Sequence, residues 1–326
     1  MKKELTINSP LISRCLVTVL ILIAVTLSTA KAIEIPFKIT EDYPVEGRWD
    51  LTMFADGKEY PSWLEIRHSG THMLIGHFVF ITGSARPISK VNFKDGKISF
   101  TLPPQWEAGD NDFSVEGTLQ GDSLTGTLVT SDNKNYTWKG VRAPALRKPM
   151  PKAWGSPIKL FNAVDLKGWH AMGENQWVVE SGVLKSPKSG ANLVSDKSFT
   201  DFKLHIEFRY PKGSNSGVYL RGRYEVQIID SKGLEPLSIL LGGVYGFLSP
   251  SEQVAKEAGQ WQSYDITLAG RMITIAANGK TVICNQEIPG ITGGALNSKE
   301  AEPGPLLIQG DHGPIEYRNI ILTPAK

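Results

Sequence analysis

The sequence predicts an all-β protein of two domains, an antiparallel barrel followed by a β-sandwich. Short runs of alternating apolar and polar residues recur from residue 48 onward, the period of two that strands with one buried face require. Turn dipeptides punctuate them: Asp56-Gly57, Ser69-Gly70, Asp95-Gly96, Gly121-Asp122 and Asn278-Gly279. Between the two sets lies a proline-rich stretch with Pro144, Pro149, Pro151 and Pro157, read as a stiff, exposed linker over 143–157.

At 326 residues the chain is long enough for two domains. Its start reads as an export signal over residues 1–32. Lys2, Lys3 and Arg14 supply the positive region, Cys15–Leu27 is apolar, and Ala30-Lys31-Ala32 is a small-residue cleavage site. Thirteen apolar residues are too few for a comfortable membrane span. Export therefore places the mature chain in the periplasm or outside the cell, with no stable span left after cleavage. Residues 33–326 hold 31 basic and 32 acidic side chains, a net charge of −1 without a basic stripe. That balance argues against nucleic acid or anionic membrane as partners. Only Cys284 remains after cleavage, so no intrachain disulfide can form and the thiol is expected in a core. No Cys/His cluster has zinc spacing, so no metal or other cofactor is expected, and nothing in the sequence indicates calcium or another divalent ion beside the carboxylates.

The first domain, about 38–142, carries eight strand patterns, from Arg48–Phe54 to Asn135–Gly140, joined by tight turns. An up-and-down antiparallel barrel satisfies them. Gly47-Arg48-Trp49 resembles the opening of lipocalin-like barrels. His68, His72 and His77 fall on different sides of a turn and of a strand, which argues against a shared metal. Trp63, Trp106 and Trp138 are expected in the core or plugging the barrel, and the domain offers no evident chemistry.

The second domain, about 158–326, repeats the strand period in Phe202–Arg209, Ser263–Leu268 and Met272–Ala277, and Asn278-Gly279 marks a tight hairpin. Two packed antiparallel sheets, one of them concave, fit this pattern. The stretch Gly213–Asp230 concentrates the polar chemistry. Tyr219, Arg221, Arg223, Glu225 and Gln227 alternate with Val218, Leu220, Val226 and Ile228, and Gly222 is read as a hairpin turn. The phase slips at Ile229, and one extra residue, a β-bulge, is expected to return Asp230 to the face of Glu225. Two carboxylates flanking an amide then form an active face; a merely solvated sheet face is the bland alternative.

Several ordered segments resemble the 3-keto-disaccharide hydrolase domain family: Leu160–Trp169, Trp177–Leu184, Phe202–Arg209, Asn215–Arg221, Tyr224–Asp230, Gly243–Gly246, Ala258–Trp261, Ile308–Gly313 and Tyr317–Ile320. The resemblance covers the second domain alone, and Ala163 stands where the family usually has glycine. It implies a concanavalin A-like jelly roll and a glycoside substrate oxidised at C3. A C3 ketone acidifies the C2 proton, so a base can form an enolate, the C1 substituent can leave, and water can add back. Within that reading Glu225 and Asp230 take the carboxyl roles and His312 transfers protons. Arg221 stabilises the enolate, while Asn215, Tyr219 and Gln227 hold sugar hydroxyls. The spacing Glu225-x-Gln227-x-x-Asp230 also resembles the bulged acidic strand of laminarinase-type glycosidases, with an amide replacing the middle acid.

The expected function is an exported hydrolase or lyase acting on 3-keto-disaccharides or 3-keto-glucosides. Two alternatives from other classes stand beside it. A non-catalytic carbohydrate-binding protein would set exposed aromatics beside hydrogen-bonding groups, and a scaffold would use the barrel to recruit a protein partner that the sequence does not identify.

Overall fold

The computed structural model describes residues 43–326, so the expected export signal lies outside the described residues. The first eight strands are β1 (Gly47–Ala55), β2 (Lys58–Ser69), β3 (Met73–Val79), β4 (Arg86–Lys94), β5 (Lys97–Leu102), β6 (Phe113–Gln120), β7 (Ser123–Val129) and β8 (Asn135–Arg142). Each pairs antiparallel with the next, and β8 returns to β1, closing the barrel expected from the sequence. Inward positions carry Trp49, Leu51, Phe78, Phe100, Phe113 and Trp138. Room for the Trp138 indole comes from Gly117 and Gly126, where a Cβ would stand 2.6 and 2.5 Å from its ring.

The sandwich follows as β9 (Ile158–Lys159), β10 (Trp169–Ala171), β11 (Val178–Glu180), β12 (Val183–Ser186), β13 (Leu193–Phe199), β14 (Phe202–Arg209) and β15 (Asn215–Leu220). It continues with β16 (Tyr224–Ile229), β17 (Gln262–Ala269), β18 (Met272–Ala277), β19 (Lys280–Glu287), β20 (Gly304–Ile308) and β21 (Ile315–Pro324). One sheet runs β10-β13-β20-β15-β16, and the other runs β11-β12-β21-β14-β17-β18-β19 with β9 beside β21. Phe202, Leu204, Ile206 and Phe208 of β14 alternate inward and share one core with Val218, Leu220, Val226 and Ile228. Asn278 and Gly279 both adopt positive φ in the β18–β19 hairpin, as an Asn-Gly turn requires. Ala163 also sits at positive φ (+64°), which explains why glycine suits that position.

The proline-rich segment, expected as a stiff, exposed linker, is exposed or half-buried along 143–157. It is strapped to the sandwich through bridges from Arg147 to Gly270 and from Trp154 to Ala325, and by Gly155 N–H donating to Pro324 O at 2.8 Å. Prolines cannot continue a ladder, but the residues between them can still pair. Cys284 is exposed rather than in a core. Register shifts between β18 and β19 put consecutive Val282 and Ile283 inside, and the following thiol falls outside.

Barrel and sandwich meet along a tight seam. Trp63 points outward from the barrel into the sandwich core, edge-on to Phe247 at 5.3 Å. A Cβ at Gly290 would lie 2.2 Å from the Trp63 Nε1, and one at Gly293 would lie 2.2 Å from Gly83 O. Gly294 N–H donates to Ile81 O at 2.9 Å.

Buried charge crosses the same seam. Arg271 Nη2 donates to Glu300 Oε2 at 2.7 Å, and Tyr224 Oη donates to Glu300 Oε1 at 2.7 Å. Asp50, buried on β1, faces Glu300; burial first, and then the Glu300 charge, push its carboxyl up to about 9. Asp50 therefore holds a proton in the folded chain that it would lose on unfolding at neutral pH. Stability falls as pH rises from the ordinary carboxylate value of 3.8 toward about 9, then levels off. Asp50→Asn keeps a neutral side chain there and should flatten the fall in melting temperature between pH 6 and pH 9. The difference from the parent should reach about 5 °C at the alkaline end. Parallel melting curves for the two proteins across that range would disprove the shared proton.

A candidate acid–base cleft at the barrel–sandwich seam

Odd-numbered positions of β15 and β16 point away from the sandwich core, as the alternation predicts. They face a cleft of about 520 Å³ that also takes in barrel residues Thr82, Gly83 and Trp106. That size lies within the ~300–1,000 Å³ typical of small-ligand sites. A larger hollow of about 940 Å³ opens on β4–β7 of the barrel, but it gathers hydroxyls and exposed charges without a buried acid.

Of the residues expected at the site, Asn215, Tyr219, Glu225, Gln227 and His312 line this cleft together. Glu225 is only 4% exposed. Its side chain folds across Gly217, where an added Cβ would stand 2.3 Å from Oε1, so the neighbouring strand must carry glycine there. Burial pushes its carboxyl up to about 8, against the opposing pull of the Tyr219 hydrogen bond and the His312 charge. Tyr219 Oη lies 2.9 Å from Glu225 Oε2 and 3.0 Å from Gly293 O. One hydroxyl proton serves one acceptor at a time. The Tyr219 hydroxyl therefore donates to Glu225 Oε2 or to Gly293 O, tying the carboxyl to the seam.

His312 sits on the loop between β20 and β21, half-exposed, with Nδ1 2.6 Å from Asp311 Oδ1. That hydrogen bond raises its basicity above the ordinary imidazole value of 6.5. It also leaves Nε2 as the nitrogen available for proton exchange. Glu225 and His312 are close enough for each charge to shift the other's titration. Gln227 is held through Oε1, which accepts from Ile228 N–H at 3.0 Å, and its backbone pairs with Gly242 and Gly243. Asn215 Oδ1 and Gln309 Oε1 are buried acceptors without a protein donor among the described residues, at the cleft wall.

Two expected site residues do not belong here. Asp230 does not join Glu225, because β15 and β16 pair without a register shift from Asn215↔Ile229 to Leu220↔Tyr224. No bulge forms. Asp230 lies past the strand end, where its Oδ2 accepts from Gly213 N–H at 2.9 Å and caps that turn. Arg221 is likewise absent from the cleft. It occupies the hairpin turn at φ +54°, where alternation ends, and its guanidinium donates to Tyr224 Oη (2.8 Å) and Gly270 O (3.0 Å). Both residues are structural.

Sequence reasoning missed Asn192, Tyr245, Gln309 and Asp311, although the last three stand inside motifs already singled out. It also misplaced Trp106. Trp63 and Trp138 are buried, but Trp106 is 71% exposed at the cleft mouth. An aromatic between Gln105 and Glu107, in a loop otherwise made of Pro, Ala, Gly, Asp and Asn, was the available signal.

Over 139 residues the chain is 26% identical to a 3-keto-disaccharide hydrolase of Bacteroides thetaiotaomicron, covering 38% of this chain. It spans about half (46%) of the length of that curated relative. A solved structure of a candidate glycosyl hydrolase from Parabacteroides distasonis is 17% identical with a TM-score of 0.45, covering 52% of this chain and 94% of that one. A second from the same organism is 25% identical with a TM-score of 0.43, covering 55% and 93%. Residues 156–323, just over half of the sequence, match the model of the 3-keto-alpha-glucoside-1,2-lyase-like domain, and the chain belongs to that family.

Proposed function

We propose that this protein is an exported enzyme that cleaves 3-keto-glycosides, 3-keto-disaccharides among them, by elimination and hydration across C1 and C2. The observation that carries the reading is a buried carboxyl lining one cleft together with a histidine–aspartate pair. His312, oriented by Asp311, takes the C2 proton, and the electron pair forms the enolate. The C1–O bond then breaks, and the leaving oxygen takes the proton of Glu225. Tyr219 shifts its own proton from Gly293 O to the new carboxylate. Water adds at C1 with its proton returning to Glu225, and His312 returns a proton to C2. Asn215, Gln227 and Gln309 offer amide groups to sugar hydroxyls. Every proton in this route moves through a side chain, so the proposal calls on no cofactor.

One observation favours a second reading. An exposed tryptophan beside hydrogen-bonding groups is what a carbohydrate-binding module would also present. Turnover separates the two. In D₂O, the parent should release a keto-sugar that carries deuterium at C2, detected by mass spectrometry, with and without chelator. Glu225→Gln and His312→Ala should each lower kcat by about 10²-fold or more. Sugar binding without product release would instead support the module, and product lacking C2 deuterium would exclude the enolate route.

The pH profile follows from the two shifted groups. Glu225 must be protonated to act as acid, so activity should fall as pH rises through about 8. His312 must be neutral to act as base, so activity should climb through a value above 6.5. The result is a narrow bell. Tyr219→Phe removes a hydrogen bond that lowers the Glu225 value, so its alkaline limb should move upward. An alkaline limb unchanged in Tyr219→Phe and retained in the residual activity of Glu225→Gln would mean that another group titrates there.

A further inference from the structure

We propose that Trp106, contributed by the barrel, is the stacking platform for the leaving-group pyranose of the substrate, so that the barrel completes the site of the sandwich. This rests on the cleft being the catalytic site proposed above and adds the part of it that lies outside the matched family domain.

Three features of the loop joining β5 and β6 support the assignment. The first is bracing beneath the ring. Buried Arg86 donates to Glu107 from Nη1 (3.5 Å) and Nη2 (3.3 Å) while its guanidinium lies over the Phe113 ring. Glu107 Oε2 accepts the backbone N–H of Gln105 at 2.8 Å and of Trp106 at 3.1 Å. Gln105 is tied to Ser84 by two hydrogen bonds of 3.0 and 2.6 Å, and Ser131 Oγ holds Ala108 O at 2.7 Å. A loop braced at four points nevertheless leaves its largest apolar side chain in solvent. Nothing in the barrel core uses it.

The second is orientation. The Trp106 indole N–H lies close enough to the Tyr245 hydroxyl on the sandwich side to lower that group's titration, and the side chain is still left mostly in solvent at the cleft. An indole face presented this way suits the C–H face of a pyranose, which has apolar hydrogens on one side and hydroxyls around its rim. Asn215 Oδ1 and Gln309 Oε1, buried acceptors without a protein donor among the described residues, line the same cleft.

The third is depth. Glu225 is at the buried floor and Trp106 at the exposed rim. The ring that loses its C2 proton must set that proton against His312 and its C1–O bond against Glu225, so it lies between those two groups. The rim aromatic therefore meets the other ring, the one that leaves.

The test compares a 3-keto-disaccharide with the methyl glycoside of the same 3-keto-sugar, using the full chain. Trp106→Ala should raise KM for the disaccharide by about tenfold or more, and should cut the disaccharide-to-methyl ratio of kcat/KM by about the same factor. Trp106→Phe, which keeps a ring but loses the N–H, should recover most of that loss. Equal penalties on both substrates would overturn the leaving-group placement. A Phe variant as poor as the Ala variant would show that the N–H to Tyr245 matters and the face does not, which also overturns it. If the parent turns over neither substrate, the catalytic reading has failed. Calorimetric binding of the disaccharide then decides the platform alone: weaker binding by Trp106→Ala supports it, and equal binding refutes it.

Discussion

The structure depends on how closely two backbones can approach at the seam between barrel and sandwich. Gly290 accepts the Trp63 indole, Gly293 lies against Gly83, and Gly246 lies against Ser84, each at distances that leave no space for a Cβ. Side chains at those positions would hold the two bodies apart by a methyl group or more, since packed interiors have no slack to absorb them. The consequence reaches the chemistry directly. Gly293 O is the acceptor for Tyr219, and Gly83 and Thr82 are part of the cleft wall. The same contact closes one side of the cleft, and burial there pushes the Glu225 carboxyl up to about 8.

Alternation made much of this legible from the residues alone. The period of two in the first half of the chain indicated eight strands, and closure of the barrel follows from their hairpin order. On β15 and β16 it placed Tyr219, Glu225 and Gln227 on one face, where they are, while Asn215 was reached through the family resemblance. It failed where a strand stops. Arg221 sits in a turn and Asp230 lies past an end, and a periodic pattern carries no information beyond its own element. No β-bulge restores the phase at Ile229; the strand ends there instead.

The seam itself was not legible, for a different reason. Close approach is written as glycine, and glycine in a strand-rich sequence reads first as a turn. Trp63 and Trp106 look alike in the sequence, yet one is buried between domains and the other faces solvent. Only tertiary contact separates them. The proline-rich stretch is a related case, because its composition suggests stiffness and says nothing about what the stiff segment lies against.

The Arg86–Glu107 brace has a consequence for how such a protein can diversify. It fastens the Trp106 loop to the barrel wall from beneath, by contacts that none of the proton-transferring groups shares. Under the proposed function, grip and proton transfer then rest on different sets of strands, so a change in the outer loop would alter which sugars fit while the cleft floor stays as it is, and a change at the floor would leave the outer grip in place.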